Sequence, residues 1–163
     1  IGHQLYQHDM DASPIIPRHE IPLLGSATIE SDSKRREQLD QAAKQFIEKD
    51  LAHTLSVELR QEFGLDKPKV ITGDIASGDQ FISSDKAVRD LRSRLPSVSC
   101  VEMEGAAVAQ VCQAFHTPFS IIRTISDAAN DEASVDFPKF INEVAKLYSL
   151  GVLRCLLGPN KIG

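Results

Sequence analysis

The chain has 163 residues, 42% of them hydrophobic, enough for one domain over 1–163 with a buried core. Its 18 basic and 23 acidic side chains leave a formal charge of −5, which argues against a nucleic-acid surface or an anionic membrane as the main partner. No apolar run reaches membrane-spanning length, no targeting pattern opens the sequence, and Cys100, Cys112 and Cys155 all sit in apolar patterns, an odd set that fits reduced thiols in a cytoplasm.

Residue 1 is Ile, and Ile1, Gly2 and His3 have no start-of-domain character, so the sequence enters as if mid-domain and lacking its N-terminal part. Residues 1–7 read as the end of a strand. The stretch 8–14 then breaks structure. His3, His8, Asp9 and Asp11 lie too close together for one helical face, and no complementary His/Cys pair follows, so a polar loop outweighs a metal site. Pro14, Pro17 and Pro22 keep the chain extended or turning up to Gly25, as a surface arm.

Asp32 or Ser33 caps a predicted helix running to about Lys49, with Leu39, Ala42, Ala43 and Phe46 as its apolar stripe. Leu51, Leu55 and Leu59 continue helically, and Gly64 ends that piece. Residues 70–76 read as a strand, and the loop after it contains Gly78 and Phe81. Ser84 caps a helix with Val88, Leu91 and Leu95 inward, closed by Pro96.

Residues 99–127 hold the densest signal. Residues 99–102 form a predicted strand. The next stretch carries Val108, Val111, Cys112 and Phe115 at helical spacing, and 119–125 is a near-continuous apolar run, as in a strand covered on both faces. Strand, helix and parallel strand make a right-handed βαβ unit. Ligands of open α/β sheets bind outside the carboxyl ends of the strands, where Glu102, Met103 and Glu104, and Arg123, Ser126 and Asp127, fall. Residues 128–135 read as a small, polar, mobile loop, and Phe137 and Pro138 start a last helix with Ile141, Val144, Tyr148 and Val152 inward. The fold class is α/β: a mixed central sheet flanked by helices in three layers.

The chemistry of these side chains narrows the function. Glu104, just past a strand end, suits a sugar diol, because a carboxylate accepts hydrogen bonds from two adjacent hydroxyls. Asp127 suits a general acid or a partner for a nitrogen heterocycle, provided burial and a second carboxylate raise its pKa. By pattern alone Arg123 reads as a structural ion pair with Glu102. The residues alone describe a small-ligand α/β enzyme.

Three motifs resemble a known family: Ser77-Gly78-Asp79-Gln80-Phe81-Ile82, Val101-Glu102-Met103-Glu104-Gly105-Ala106-Ala107 and Arg123-Thr124-Ile125-Ser126-Asp127. In order and rough spacing they look like the purine nucleoside phosphorylase/uridine phosphorylase superfamily, and most like its 5′-methylthioadenosine/S-adenosylhomocysteine nucleosidases. The resemblance runs from Ile1 to the last helix and corresponds to the later part of the family domain. It implies a nucleoside phosphorylase-like αβα fold and hydrolysis of an adenine N-glycosidic bond, with no cofactor or metal. Asp127 would protonate or hydrogen-bond adenine N7, with Ser126 holding it. Phe81 would stack on the base, and the backbone of Ile82 would read its edge. Glu104 would bind the ribose hydroxyls, Met103 would pack on the sugar, and Arg123 and Glu102 would sit near the sugar and the attacking water. Phe137 would cover the 5′-alkylthio group. The arm 8–22 would pack on a partner subunit in a homodimer.

The sequence departs from the family pattern in three places. The opening strand with its water-activating carboxylate is absent, the Gly-rich turn after a later strand is absent, and 49–67 is longer than usual in the nucleosidases. A phosphate-dependent phosphorylase and a non-catalytic nucleoside-binding protein are the alternatives, and Asp127 in place of an amide favours a 6-aminopurine. The 163-residue segment alone is expected to be poorly soluble and without nucleosidase activity, and a longer chain to restore it.

Overall fold

The computed structural model describes residues 1–126 and 133–158. Three strands, β1 (Gly2–Gln7), β3 (Gly73–Ser77) and β4 (Val98–Glu102), lie parallel, and the short β2 (Ile29–Glu30) runs antiparallel on the edge, giving the order β2-β1-β3-β4. The register pairs Leu5 with Ile75, Gln7 with Ser77, and Ser77 with Glu102. The carboxyl ends of β1, β3 and β4 therefore finish side by side, and that edge of the sheet carries the site. β1 is paired on both sides, with β2 and with β3.

Successive residues of a strand face opposite sides, and here each side meets a helix. Leu5 and Ile75 are buried with Ala106 and Ala109 of α5 (Gly105–Ala114), while Ala76 is buried with Leu91 of α4 (Asp85–Arg94) and Leu95 just beyond it. A third cluster joins α1 (Ser33–Gln45) to α7 (Lys146–Leu157) through Leu39, Ala43, Phe46, Tyr148 and Val152. Between them, α2 (Leu51–Thr54) and α3 (Val57–Glu62) continue from α1 through a π-helical turn over Phe46–Asp50. Before α7, α6 (Ala133–Phe140) leads into a second π-helical turn over Ile141–Ala145. Among the described residues no helix is long and apolar enough to cross a membrane.

The caps follow the local chemistry. Asp32 accepts from the Arg35 amide at 2.9 Å, and Ser84 from the Ala87 amide at 3.3 Å, so each helix starts where an oxygen-bearing side chain satisfies an unpaired N–H. Gly64 sits at φ +61, with its amide on Gln61 and the Leu65 amide on Arg60, the left-handed stop that glycine provides without strain.

Four expectations need correction. Residues 119–125 are not a strand: they carry isolated backbone bonds, Gly2 N to Ile121 O at 2.8 Å and Asp32 N to Phe119 O at 2.9 Å, and a ladder needs a continuous series. The right-handed βαβ unit is therefore not formed there, and the parallel pairs are β1 with β3 and β3 with β4. The strand expected over 70–76 begins only at Gly73 and runs to Ser77; ahead of it the Ile71 carbonyl accepts from the Ile1 amine at 2.7 Å, and the Gly73 amide donates to Ile1 O at 3.0 Å. The last helix starts at Ala133, ahead of Phe137, and Pro138 lies inside it. Residues 128–132 of the expected loop lie outside the described residues.

Candidate active site

The turn that follows β3, the length of β4, α4, residues 123–126 and Phe137 with Ile141 enclose a cleft of about 540 Å³. Phe81, Ile82, Glu102, Met103, Glu104, Arg123, Ser126 and Phe137 all line it. Eight of the nine sequence-predicted site residues thus meet in one place. The ninth, Asp127, lies outside the described residues.

Glu102 ends β4 and is locked. Its carboxylate accepts from the Ser77 hydroxyl, from the Gly105 amide at 3.0 and 2.9 Å, from the Glu104 amide at 3.3 Å and from the Arg123 guanidinium. Its side chain is only 10% exposed. The α5 N-terminus explains the arrangement: the first amides of a helix lack partners and favour negative charge. The Ser77 hydroxyl in turn accepts from the Ala106 amide at 2.7 Å, so β3 and β4 are stitched together at the foot of the cleft. The ion pair read from the pattern is present, and Glu102 is a fixture with its acceptor capacity largely used.

Glu104 is the opposite case. It stands 68% exposed at the cleft, and one oxygen accepts from Arg123 at 2.9 Å. The remaining lone pairs face outward and can take two hydroxyl donors. Arg123 bridges both carboxylates, and burial draws its pKa below the usual arginine value. Across the cleft, Phe81 and Phe137 meet edge to face, ring centroids 6.1 Å apart at 67°. Both rings are partly open to the cleft and present flat apolar surface beside hydrogen-bonding groups, which suits a molecule with an aromatic ring at one end and hydroxyls at the other.

The sequence reading did not anticipate Ser77 as the donor that fixes Glu102, or Val88, Leu91 and Arg92 of α4 as cleft lining. The parallel register Ser77–Glu102 makes the first contact, and register is not visible in one strand. The motif around Gly78 carries the only local signal.

The family model described as the phosphorylase superfamily matches residues 1–156. The chain belongs to the phosphorylase superfamily. Within this superfamily the chain is 48% identical over 82 residues to a 5′-methylthioadenosine/S-adenosylhomocysteine nucleosidase of Geobacillus kaustophilus, a match covering 50% of this chain and 35% of that protein. The Bacillus subtilis nucleosidase is 47% identical over 81 residues, with the same coverage of 50% and 35%. The crystal structure of the Neisseria meningitidis nucleosidase with methylthio-immucillin-A superposes with a TM-score of 0.77 at 30% identity, over 98% of this chain and 60% of that one. Futalosine hydrolase of Helicobacter pylori superposes with a TM-score of 0.71 at 33% identity, over 97% of this chain and 58% of that one. The chain thus spans about three fifths of the solved phosphorylase-superfamily structures it resembles. The nucleoside phosphorylase-like fold, a mixed sheet with flanking helices, agrees with these neighbours.

Proposed function

We propose that this chain forms the base and ribose side of an N-glycosidic hydrolase acting on 5′-methylthioadenosine and S-adenosylhomocysteine and releasing adenine. The observation that carries the reading is the cleft itself, with an aromatic pair at one wall and an exposed carboxylate steered by an arginine at the other. Adenine stacks on Phe81, and the Ile82 backbone meets its polar edge. Glu104 accepts from the ribose 2′- and 3′-hydroxyls, Met103 packs on the sugar, and Phe137 covers the 5′ substituent. Asp127, supported by Ser126, gives its proton to N7 as the C1′–N9 bond breaks, so adenine leaves neutral. The ribosyl cation left behind has oxocarbenium character and is stabilised by negative charge at Glu104, while water adds to C1′ and loses a proton. Arg123, held by Glu102, keeps Glu104 in position.

The assembly we propose is a homodimer. Val108 and Val111 of α5 and Phe115 just after it are exposed, Phe115 at 77%, and Ile15 and Leu23 on the arm are exposed too. The cytoplasm is the compartment we assign, on the odd count and apolar setting of Cys100, Cys112 and Cys155 in the sequence.

Purified full-length protein, carrying the longer chain, incubated with methylthioadenosine with and without phosphate, tests the reaction. Adenine release without phosphate is expected. Release that requires phosphate makes the protein a phosphorylase, and binding without release makes it a nucleoside-binding protein. Futalosine belongs in the same assay, because a futalosine hydrolase is among the superposing structures. Faster turnover of futalosine would overturn the assigned substrate but leave the reaction class.

A further inference from the structure

We propose that Asp9 is a positioning residue for the base-side wall of the cleft, acting through the turn that carries Phe81 and Ile82. The proposal rests on the purine reading of the cleft given above. The turn begins where β3 ends, at Ser77, and three contacts bind it to the segment that follows β1. The His8 amide donates to Ser77 O at 2.9 Å, extending the parallel pairing one step past the strand end. The Asp79 amide donates to Asp9 Oδ2 at 2.6 Å, a charge-assisted bond across 70 residues of sequence. Gly78 lies between them with no room for a side chain: a Cβ there would stand 2.7 Å from Asp9 Oδ2 and against the His8 ring. On its other side the turn is held by the Gly78 amide, which donates to Glu102 O at 3.2 Å.

The Gly78–Asp79 turn is thus clamped between the ends of β1 and β4, and Phe81 follows two residues later. Phe81 is itself only half covered, by the edge contact with Phe137, so its place is set mainly by the backbone that leads to it. Of the clamping groups, only Asp9 is an exposed side chain on a loop. It touches no part of the cleft, so its effect on a base at Phe81 passes entirely through the turn.

The test compares the parent chain with Asp9→Ala, Asp9→Asn and Gly78→Ala, and with Asp11→Ala as a control two residues away. Hydrogen exchange is followed at individual amides, and adenine affinity by titration calorimetry. Asp9→Ala is expected to speed exchange at Asp79 and the amides up to Ile82 about tenfold and to weaken adenine binding about tenfold, the size of one lost bond to a charged group. Exchange in α1 and α7 stays at the parent rate. Asp9→Asn, which retains an acceptor oxygen, recovers most of both losses, and Gly78→Ala reproduces them with the carboxylate intact. Parent-like exchange at residues 79–82 in Asp9→Ala overturns the proposal, as does equal acceleration throughout α1 and α7, which marks a general loss of stability. A parent protein that binds no adenine overturns the purine reading instead, and the exchange comparison then decides the clamp by itself.

Discussion

Arg123 divides its guanidinium between a carboxylate almost out of water and one mostly in it, and the two partnerships have different consequences. Removing the cation strands the Glu102 charge near the helix terminus, where only the Ser77 hydroxyl and backbone amides remain to hold it. Arg123→Met should therefore cost about 2 kcal/mol in urea unfolding, less than a fully buried pair because Arg123 is a third exposed. In the full-length protein, Glu104→Gln should leave the unfolding midpoint in place and lower kcat/KM by about 10²-fold, the scale of one lost electrostatic contact in the transition state. An unchanged kcat/KM would count against the diol contact. Asp127→Asn should reduce adenine release by about 10²–10⁴-fold with an unaltered circular dichroism spectrum, since it removes a proton donor but keeps the shape.

Two histidines behind the turn set a pH dependence. His8 and His19 are 2% and 7% exposed, and Nε2 of His8 lacks a hydrogen-bond partner among the described residues. Burial, foremost, holds both below the ordinary value of 6.5. Arg94 pushes the same way on both and Arg18 on His19, while Asp9 opposes at His8, and Asp11 and the Gln7 backbone oppose at His19. The unfolded chain takes up protons near pH 6.5 that the folded chain refuses, so their contribution is complete above that pH and is lost as pH falls. The urea midpoint should drop between about pH 7.5 and about pH 5, and drop less in the His8→Gln, His19→Gln double variant. A midpoint independent of pH over that range would refute the account.

At the scale of elements, what the sequence made legible is what depends on neighbours along the chain. The Asp32 and Ser84 caps, the stop at Gly64 and the buried stripe Leu39, Ala43 and Phe46 all follow from residues within one or two turns. The misreading of the strands has one cause, dependence on what lies across space. Residues 119–125 have strand composition, yet composition does not supply a continuous ladder partner. Helix α5 has its large apolar side chains outward, and Ala106 and Ala109 face the sheet because small residues let the helix lie close on β1 and β3. Binary patterning ranks Val and Phe above Ala as core residues and so points to the wrong face. The part of the site at Glu102, Met103 and Glu104 was legible because it falls at the carboxyl end of β4, whatever that strand's exact limits. A similar close approach exists between Phe46 and α7: a Cβ at Gly151 would reach into the Phe46 ring, 2.7 Å from Cζ. Gly151→Ala should destabilise the chain by about 1–3 kcal/mol through overpacking, read from thermal unfolding. A stabilised variant would mean that the helix propensity of alanine outweighs the clash.

At the scale of the whole molecule, the outward face of α5 calls for a partner, and a second copy of this chain is the one proposed. Light scattering should find the full-length parent at twice its single-chain mass. Val111→Lys with Phe115→Lys should return it to the single-chain mass, because two charges on an apolar interface are costly to bury. A parent that is monomeric at micromolar concentration would overturn the dimer.

The sheet order has a kinetic consequence. Gly2 pairs with Gly73 and Gln7 with Ser77, so β1 must wait for its parallel partner until a long helical excursion has left the ribosome. At roughly 5–20 residues per second that wait lasts several seconds. Meanwhile, among the described residues, β2 pairs with one edge of β1 over two residues, and the edge that β3 later takes stays open to pairing with an extended chain nearby. Contacts so distant in sequence also slow the search for the native pairing. Refolding from urea should therefore be slower than that of an all-helical protein of similar length and should lose yield as protein concentration rises, while Leu5→Lys, which removes the apolar side chain of the waiting strand, should relieve the concentration dependence at the expense of the final fold.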